Sequence, residues 1–337
     1  GLHFQVRKLG IDFFPGFAKF IDQNSVEIEG NILHGDRFII ATGSSAKTLH
    51  SLDNSSANVM TAKDIFALKK LPERMTIIGA GAIGVEFAYF FNAFGTKITL
   101  LEAQENILPN EDVEISQWMQ KVLKRKKIDI QTNTIANEID DEHILVSIGV
   151  EGNSNGLGLE NIGVDIGTNQ HIEVNEDGQT NIDNIYAVGD VIGPPWLAHV
   201  SSSEGLYVAE HIANLNPKKI NYDCIPACTY SKPEIGSIGF NQETLDQQGI
   251  KYKIAKSFFN ANGRAVASGS TDGFIKILVS DDNLILGAHI IGANATEMIS
   301  EFSLAMSNKL TIENILSAVH PHPTFSEAIF ETLMQLK

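Results

Sequence analysis

Met75-Thr76-Ile77-Ile78-Gly79-Ala80-Gly81-Ala82-Ile83-Gly84-Val85-Glu86 is the stretch that decides the fold of this chain. An apolar run of strand character enters a glycine turn. Beyond the turn, apolar residues recur at helical spacing from Ala82 to Phe94. Gly95 closes that helix, and Lys97–Leu101 reads as a second strand. A lone GxGxxG is weak, because a glycine turn needs no ligand. Here it has a strand before it, a helix opening inside it and an acid, Glu102, ending the next strand. That is the full context of a dinucleotide-binding unit. The glycines permit the tight turn and let N–H groups of the helix start meet a pyrophosphate. Glu102 can accept hydrogen bonds from both ribose hydroxyls and would repel a 2′-phosphate, so the pocket should prefer NAD to NADP.

Working outward, a second helix spans about Asp112–Lys126. Its basic end, Lys121 through Lys127, is a solvated terminus opposing the dipole. A short strand follows at Ile128–Gln131, and only residues 132–142 separate it from a buried strand at His143–Ile148, which runs into Gly149. Residues 151–182, rich in Gly and Asn, read as loops. Asn184–Val188 is a strand ending in Gly189-Asp190, and Val200–Asn214 a helix. From about residue 221 the pattern changes. Strands cluster near Thr229, Ile235–Phe240, Tyr252–Phe258, Phe274–Leu278 and Ile285–Ile290. Helices follow near Glu297–Met306, Ile312–Ala318 and Phe325–Leu336. The fold class is therefore α/β, with Rossmann-type nucleotide-binding segments followed by a separate α+β domain.

The 337 residues, 43% hydrophobic and 20% charged, suffice for two or three compact domains. No run approaches the roughly 18 apolar residues of a membrane span. A formal charge of -16 without a long basic block argues against nucleic acid or an anionic membrane as the main partner. The only cysteines are Cys224 and Cys228, too few for a zinc site of the usual four ligands. Both are read here onto one strand, where their thiols would lie about 13 Å apart, too far for a disulfide. They are expected to be two small buried residues.

The other strong signal is the tail, His320-Pro321-His322-Pro323-Thr324-Phe325-Ser326-Glu327. A histidine held by proline, with a carboxylate five residues on, suits a general base whose tautomer an acid fixes. Thr324-x-x-Glu327 is also a capping box, which would leave Glu327 only to start a helix. His320 and His322 could pass for metal ligands, but no third ligand accompanies them, and no metal is expected.

Together, Gly79–Glu86, Tyr186-Ala187-Val188-Gly189-Asp190 and the tail resemble the flavin-dependent pyridine nucleotide-disulfide oxidoreductases, most closely the dihydrolipoyl dehydrogenase family. The resemblance covers almost the whole chain from about residue 10, including Asn262-Gly263-Arg264-Ala265 and Gly287–Gly292. It implies an enzyme oxidising protein-bound dihydrolipoamide through a disulfide and FAD, with NAD reduced. It implies His322 as acid/base, Glu327 as its orienting partner, and a homodimer that serves lipoyl domains of 2-oxo-acid dehydrogenase complexes. The NAD set is Gly79, Ala80, Gly81, Ala82, Ile83, Gly84, Val85, Glu86, Glu102 and Gly149. Where the family often continues Gly149 with arginines, this chain has Val150-Glu151. The FAD set is Ala18, Thr42, Gly43, Ser44, Asp190, Trp196, Leu197, Ala198 and His199, the last through its backbone. The domains would be 1–53 (end of the FAD domain), 54–182 (NAD), 183–220 (return of the FAD domain) and 221–337 (dimerisation). The compartment would be a bacterial cytoplasm or the mitochondrial matrix.

Two departures accompany the resemblance. The family opens with a first GxGxxG for FAD and then a redox cysteine pair, neither of which occurs here. The chain reads as one without the family's first hundred or so residues, and these residues alone are expected to be inactive. The family also places an antiparallel meander where residues 132–142 stand, which predicts a discontinuity within Thr134–Asp141. A glutathione-reductase-like enzyme and a non-catalytic NAD-binding or dimerisation fragment are the alternatives.

Overall fold

The computed structural model describes every residue except 50, 51, 53–57, 137, 138, 140 and 142. The chain divides into two units, Gly1–Ser45 with Val150–Ile220, and Ala46–Gly149 with Asn221–Lys337.

In the first unit, Ala18–Asp22, Ser25–Ile28 and Asn31–His34 form a three-stranded antiparallel sheet. Phe38–Ile40 pairs in parallel with Ile185–Ala187, so Gly189-Asp190 leaves the end of that second strand. The helix Ala198–Ile212 follows, where Val200–Asn214 was expected; both its ends lie two residues earlier. Residues 150–182, which the sequence suggested belong with the NAD segment, lie in this unit. Leu157, Leu159, Ile162 and Ile172 share a core with Phe20 and Ile185. Their apolar residues follow neither a helix nor a strand period, so no local pattern marks where they pack.

Among the described residues, the second unit holds two five-stranded sheets. One is parallel, in the order Val59–Met60, Ile144–Val146, Arg74–Ile78, Lys97–Leu101, Asp129–Gln131. The strand order reverses between Arg74–Ile78 and Ile144–Val146, where doubly wound sheets bind ligands beyond the strand ends. Gly79 directly follows the first of these strands, and Gly149 lies three residues beyond the end of the second. The helices Ala82–Ala93 and Val113–Arg125 make the crossovers, the second capped by Asp112, whose side chain accepts the Glu114 N–H. The expected discontinuity falls partly outside the described residues. Beside it, the Thr134 N–H donates to the Glu102 carbonyl at 2.9 Å and Ala136 is buried against the same sheet.

The other sheet is antiparallel, in the order Ala227–Thr229, Glu234–Gly239, Ile285–Gly292, Phe274–Val279, Lys253–Phe258. Side chains alternate across it. Ile238, Ile275, Ile277 and Ile290 pack with the helices Ala295–Ser307 and Glu327–Leu333. Ile235, Phe274 and Ile291 point the other way and join the core of the parallel sheet. The same alternation carries a polar row, Ser237, His289, Lys276 and Lys256, in one register across the sheet. Lys276 is fully buried, and its Nζ donates to Asp112 (2.8 Å), Glu114 (2.9 Å) and Gln242 (2.9 Å). Burial pulls its pKa down, but the bonds to Asp112 and Glu114 outweigh that and hold it above the ordinary lysine value.

Neither Cys224 nor Cys228 forms a disulfide. The expectation of one strand carrying both is corrected. Cys224 sits in the 3-10 turn Tyr222–Cys224, and only Cys228 lies on the strand Ala227–Thr229, because Pro226 interrupts the extended run. Both are half-buried rather than buried.

Candidate functional site

The glycine turn is shaped by contacts that only glycine allows at two of its positions. Gly79 has φ +94°, and a Cβ there would stand 2.4 Å from the Ser147 carbonyl oxygen. A Cβ at Gly84 would stand 1.9 Å from the Gly79 carbonyl oxygen. Gly81 is different. A Cβ there would meet no atom within 4 Å, so the space over the turn is open. Gly81 is the N-cap of Ala82–Ala93 and no side chain caps that helix. The first-turn N–H groups of Ala82, Ile83 and Gly84 thus face a region fit for an anion. Val85 is fully buried and anchors the helix to the sheet.

Glu102 follows the strand Lys97–Leu101 and is 7% exposed. Its Oε2 accepts the Ala80 N–H at 2.7 Å and its Oε1 the Gln104 N–H at 2.9 Å. The carboxylate is thereby fixed against the turn, with lone pairs left for ribose hydroxyls. The residues present fit a dinucleotide: a cradle that a Cβ would fill, open helix N–H groups and an oriented acid. Glu86 accepts the Tyr230 N–H at 2.7 Å, and burial raises its pKa. Ser147 and Tyr230 were not legible as partners. Ser147 donates its hydroxyl to the Gly79 carbonyl at 2.8 Å from 68 residues away, and Tyr230 lies 144 residues from Glu86. Gly149 has φ +103° and open space around it, as a close approach to a ligand requires.

In the first unit, the Ser44 hydroxyl donates to Asp190 Oδ2 at 2.9 Å. Gly189, φ +76°, donates its N–H to the Glu204 carboxylate at 2.7 Å, which fixes the turn carrying Asp190. Thr42 donates to the Asn153 carbonyl at 2.8 Å, and Asn153 N–H bonds the Gly43 carbonyl at 2.9 Å. The structure thus joins Thr42–Ser44 to Asp190 and to Asn153, a residue the sequence reading left out. Trp196 is 40% exposed, Leu197 caps Ala198–Ile212, and Ala198 and His199 open that helix at the surface. Ala18 begins the first strand of the antiparallel sheet. These residues suit the ribityl and ring end of a flavin. A GxGxxG turn occurs once in the sequence, at Gly79–Gly84, so they account for part of a flavin site.

The tail resolves its two readings by satisfying both. Glu327 Oε1 lies 2.8 Å from His322 Nδ1, while Oε2 accepts the Thr324 N–H at 2.7 Å. One carboxylate holds the imidazole and closes the turn that presents it. The Thr324 bond first, then His322, keep the Glu327 pKa below the usual carboxylate value. An ionised Glu327 makes His322 Nδ1 the N–H donor and leaves Nε2 the basic nitrogen. The His322 side chain is 79% exposed, so that nitrogen is open to a thiol. Asn262, the N-cap of Gly263–Ser268, holds the Thr324 carbonyl at 3.2 Å. His320 Nε2 is turned to Glu301 at 3.0 Å, away from any shared ligand set with His322. Among the described residues no cluster of three metal-ligating side chains exists, and no helix is long and apolar enough to cross a membrane.

Comparison with known proteins adds a family. The model described as pyridine nucleotide-disulphide oxidoreductase matches residues 1–205, and that of the family's dimerisation domain matches residues 225–333. A dihydrolipoyl dehydrogenase of Bacillus subtilis is 37% identical over 370 residues, covering 99% of this chain and 78% of that protein. The mitochondrial dihydrolipoyl dehydrogenase 1 of Arabidopsis thaliana is 32% identical, covering 99% and 71%. The solved HOCl-induced flavoprotein disulfide reductase RclA of Escherichia coli superposes with a TM-score of 0.89 at 26% identity, covering 97% of this chain and 80% of that one. The 370 residues of the first alignment exceed the 337 of the chain, so that relative holds internal residues without a counterpart here.

Proposed function

The chain belongs to the pyridine nucleotide-disulphide oxidoreductase family, and from that membership we propose that it acts as a dihydrolipoyl dehydrogenase, oxidising lipoyl-bound dihydrolipoamide and reducing NAD. The observation that carries the reading is the single carboxylate of Glu327 bridging His322 Nδ1 and the Thr324 N–H. His322 Nε2 takes the thiol proton of dihydrolipoamide, and Glu327 stabilises the resulting imidazolium. FAD, when bound, supplies a two-electron relay between dithiol and nicotinamide. Asp190, fixed by Ser44, would accept a ribityl hydroxyl, and the first N–H groups of Ala198–Ile212 would face charge on the ring. Glu102 and the turn Gly79–Gly84 would hold the adenosine ribose and pyrophosphate. The matched dimerisation domain supports a homodimer. Partners would be lipoyl domains of 2-oxo-acid dehydrogenase complexes, in a bacterial cytoplasm or the mitochondrial matrix. We assign 221–337 to dimerisation, 54–149 to NAD binding and the first unit to the flavin. We place the family's missing meander between Gln131 and Ile144. An intact mass with a flavin absorption spectrum and a dihydrolipoamide–NAD assay tests the whole reading.

Two results are expected. Glu102→Arg should weaken NAD binding and gain some affinity for NADP, because the acid that repels a 2′-phosphate is replaced by a cation. If the unaltered protein binds both equally in titration, the assignment of Glu102 is wrong. A polypeptide verified to hold only these 337 residues should not turn over dihydrolipoamide, since its two cysteines form no disulfide, both are half-buried and burial raises the Cys228 pKa. Measured turnover would return Cys224 and Cys228 to the chemistry.

A further inference from the structure

The segment Glu111–Glu114, which leads into the helix Val113–Arg125, lies along the polar row of the antiparallel sheet, acid against donor. Glu111 meets Ser237, Asp112 meets Lys276, and Glu114 meets Lys276 and Lys256. We propose that this row is a proton-operated latch between the parallel nucleotide sheet and the dimerisation sheet, closed while Glu111 holds a proton and loosened when Glu111 ionises.

An ammonium has three donors, and all three of Lys276 are committed to Asp112, Glu114 and Gln242. Lys256 pairs with Glu114 and sits 4.2 Å from the Phe274 ring centre. No cation of the row is left for Glu111. Its Oε1 accepts a neutral hydroxyl, Ser237 Oγ at 3.0 Å, and its Oε2 is buried with no partner among the described residues. The other groups around it do not help. Asp112, next in the chain, carries the same charge, and the Cys228 thiol comes from the neighbouring strand. His289, the cross-strand partner of Ser237, is fully buried. Burial keeps its ring neutral, with Nε2 on the Phe240 carbonyl and Nδ1 unpartnered among the described residues. Glu243 follows Gln242 in its helix and adds a further acid.

An ionised Glu111 is therefore a buried, uncompensated charge. Burial first, opposed by the Ser237 bond and reinforced by Asp112, pushes its pKa up to about 7. The folded form binds the proton more tightly than the unfolded form, so stability falls as pH rises from the ordinary carboxyl value toward 7 and stays low above it. The junction is tightest in mild acid and loosens through the neutral range.

The test is the thermal midpoint of the full-length protein and its Glu111→Gln variant between pH 5.5 and 8.5. Glutamine keeps the Ser237 bond and cannot ionise. The expected result is a fall of several degrees in the unaltered protein that the variant does not share, with slower amide exchange of Glu234–Gly239 in the variant at pH 8.5. Parallel pH curves overturn the proposal. An infrared titration of the unaltered protein needs no variant. A buried protonated carboxyl band that fades across neutral pH supports the latch, and its absence at pH 5.5 overturns it.

Discussion

Replacing His322 with glutamine in the complete flavoprotein is expected to cut dihydrolipoamide oxidation by about 10²-fold or more, the usual loss with a general base. Electron transfer from NADH to a dye should persist, because that route bypasses the thiols. The geometry makes the expectation specific. Glu327 fixes the Nδ1 side of the ring and the Thr324 N–H at once, so the exposed Nε2 is presented on a turn the same carboxylate closes. Glutamine can occupy the space but cannot take the proton. Glu327→Gln should cost less, since His322 remains as a base while its tautomer and the developing imidazolium lose their anionic partner. Equal loss of thiol oxidation and dye reduction in His322→Gln would mean that the residue supports the fold or the flavin site.

Lys276→Met should lower stability by about 3–5 kcal/mol, the range for breaking a buried ion pair from one side. Lys276 and Asp112 are both fully buried, at 2.8 Å. Methionine preserves the volume and removes all three donors, leaving Asp112 without its cation and Gln242 without its partner. Calorimetry should show the thermal midpoint of the second unit lowered by about 10 °C. Pairing Lys276→Met with Asp112→Leu should recover a large part, because two apolar groups remove the stranded charge. A single variant that melts with the unaltered protein would show that the pair is not the tie it looks to be.

Local signals in the sequence carried far here. The strand Lys97–Leu101 stands where the spacing put it, and the helix after the glycine turn differs by one residue at its end. The tail was legible as a histidine and an acid, yet as two rival readings of Glu327. A carboxylate has two oxygens, and the sequence cannot tell that each is used. What stayed hidden depends on register. Nothing local aligns Ser237, His289, Lys276 and Lys256, which come from four strands, or brings Tyr230 to Glu86. The helix Gln242–Gln248 was also missed, since a seven-residue helix with one buried side chain leaves almost no periodic trace.

The parallel pair Phe38–Ile40 and Ile185–Ala187 bears on how the chain is made. Its partners are aligned Phe38 to Ile185, with the whole nucleotide sheet encoded between them. A ribosome adds about 5–20 residues per second. Phe38–Ile40 therefore waits on the order of ten seconds before Ile185–Ala187 is synthesised to pair with it. The intervening segment can fold during that wait, but the first unit cannot close. Nascent chains stalled before Ile185 should thus be the ones that chaperones hold.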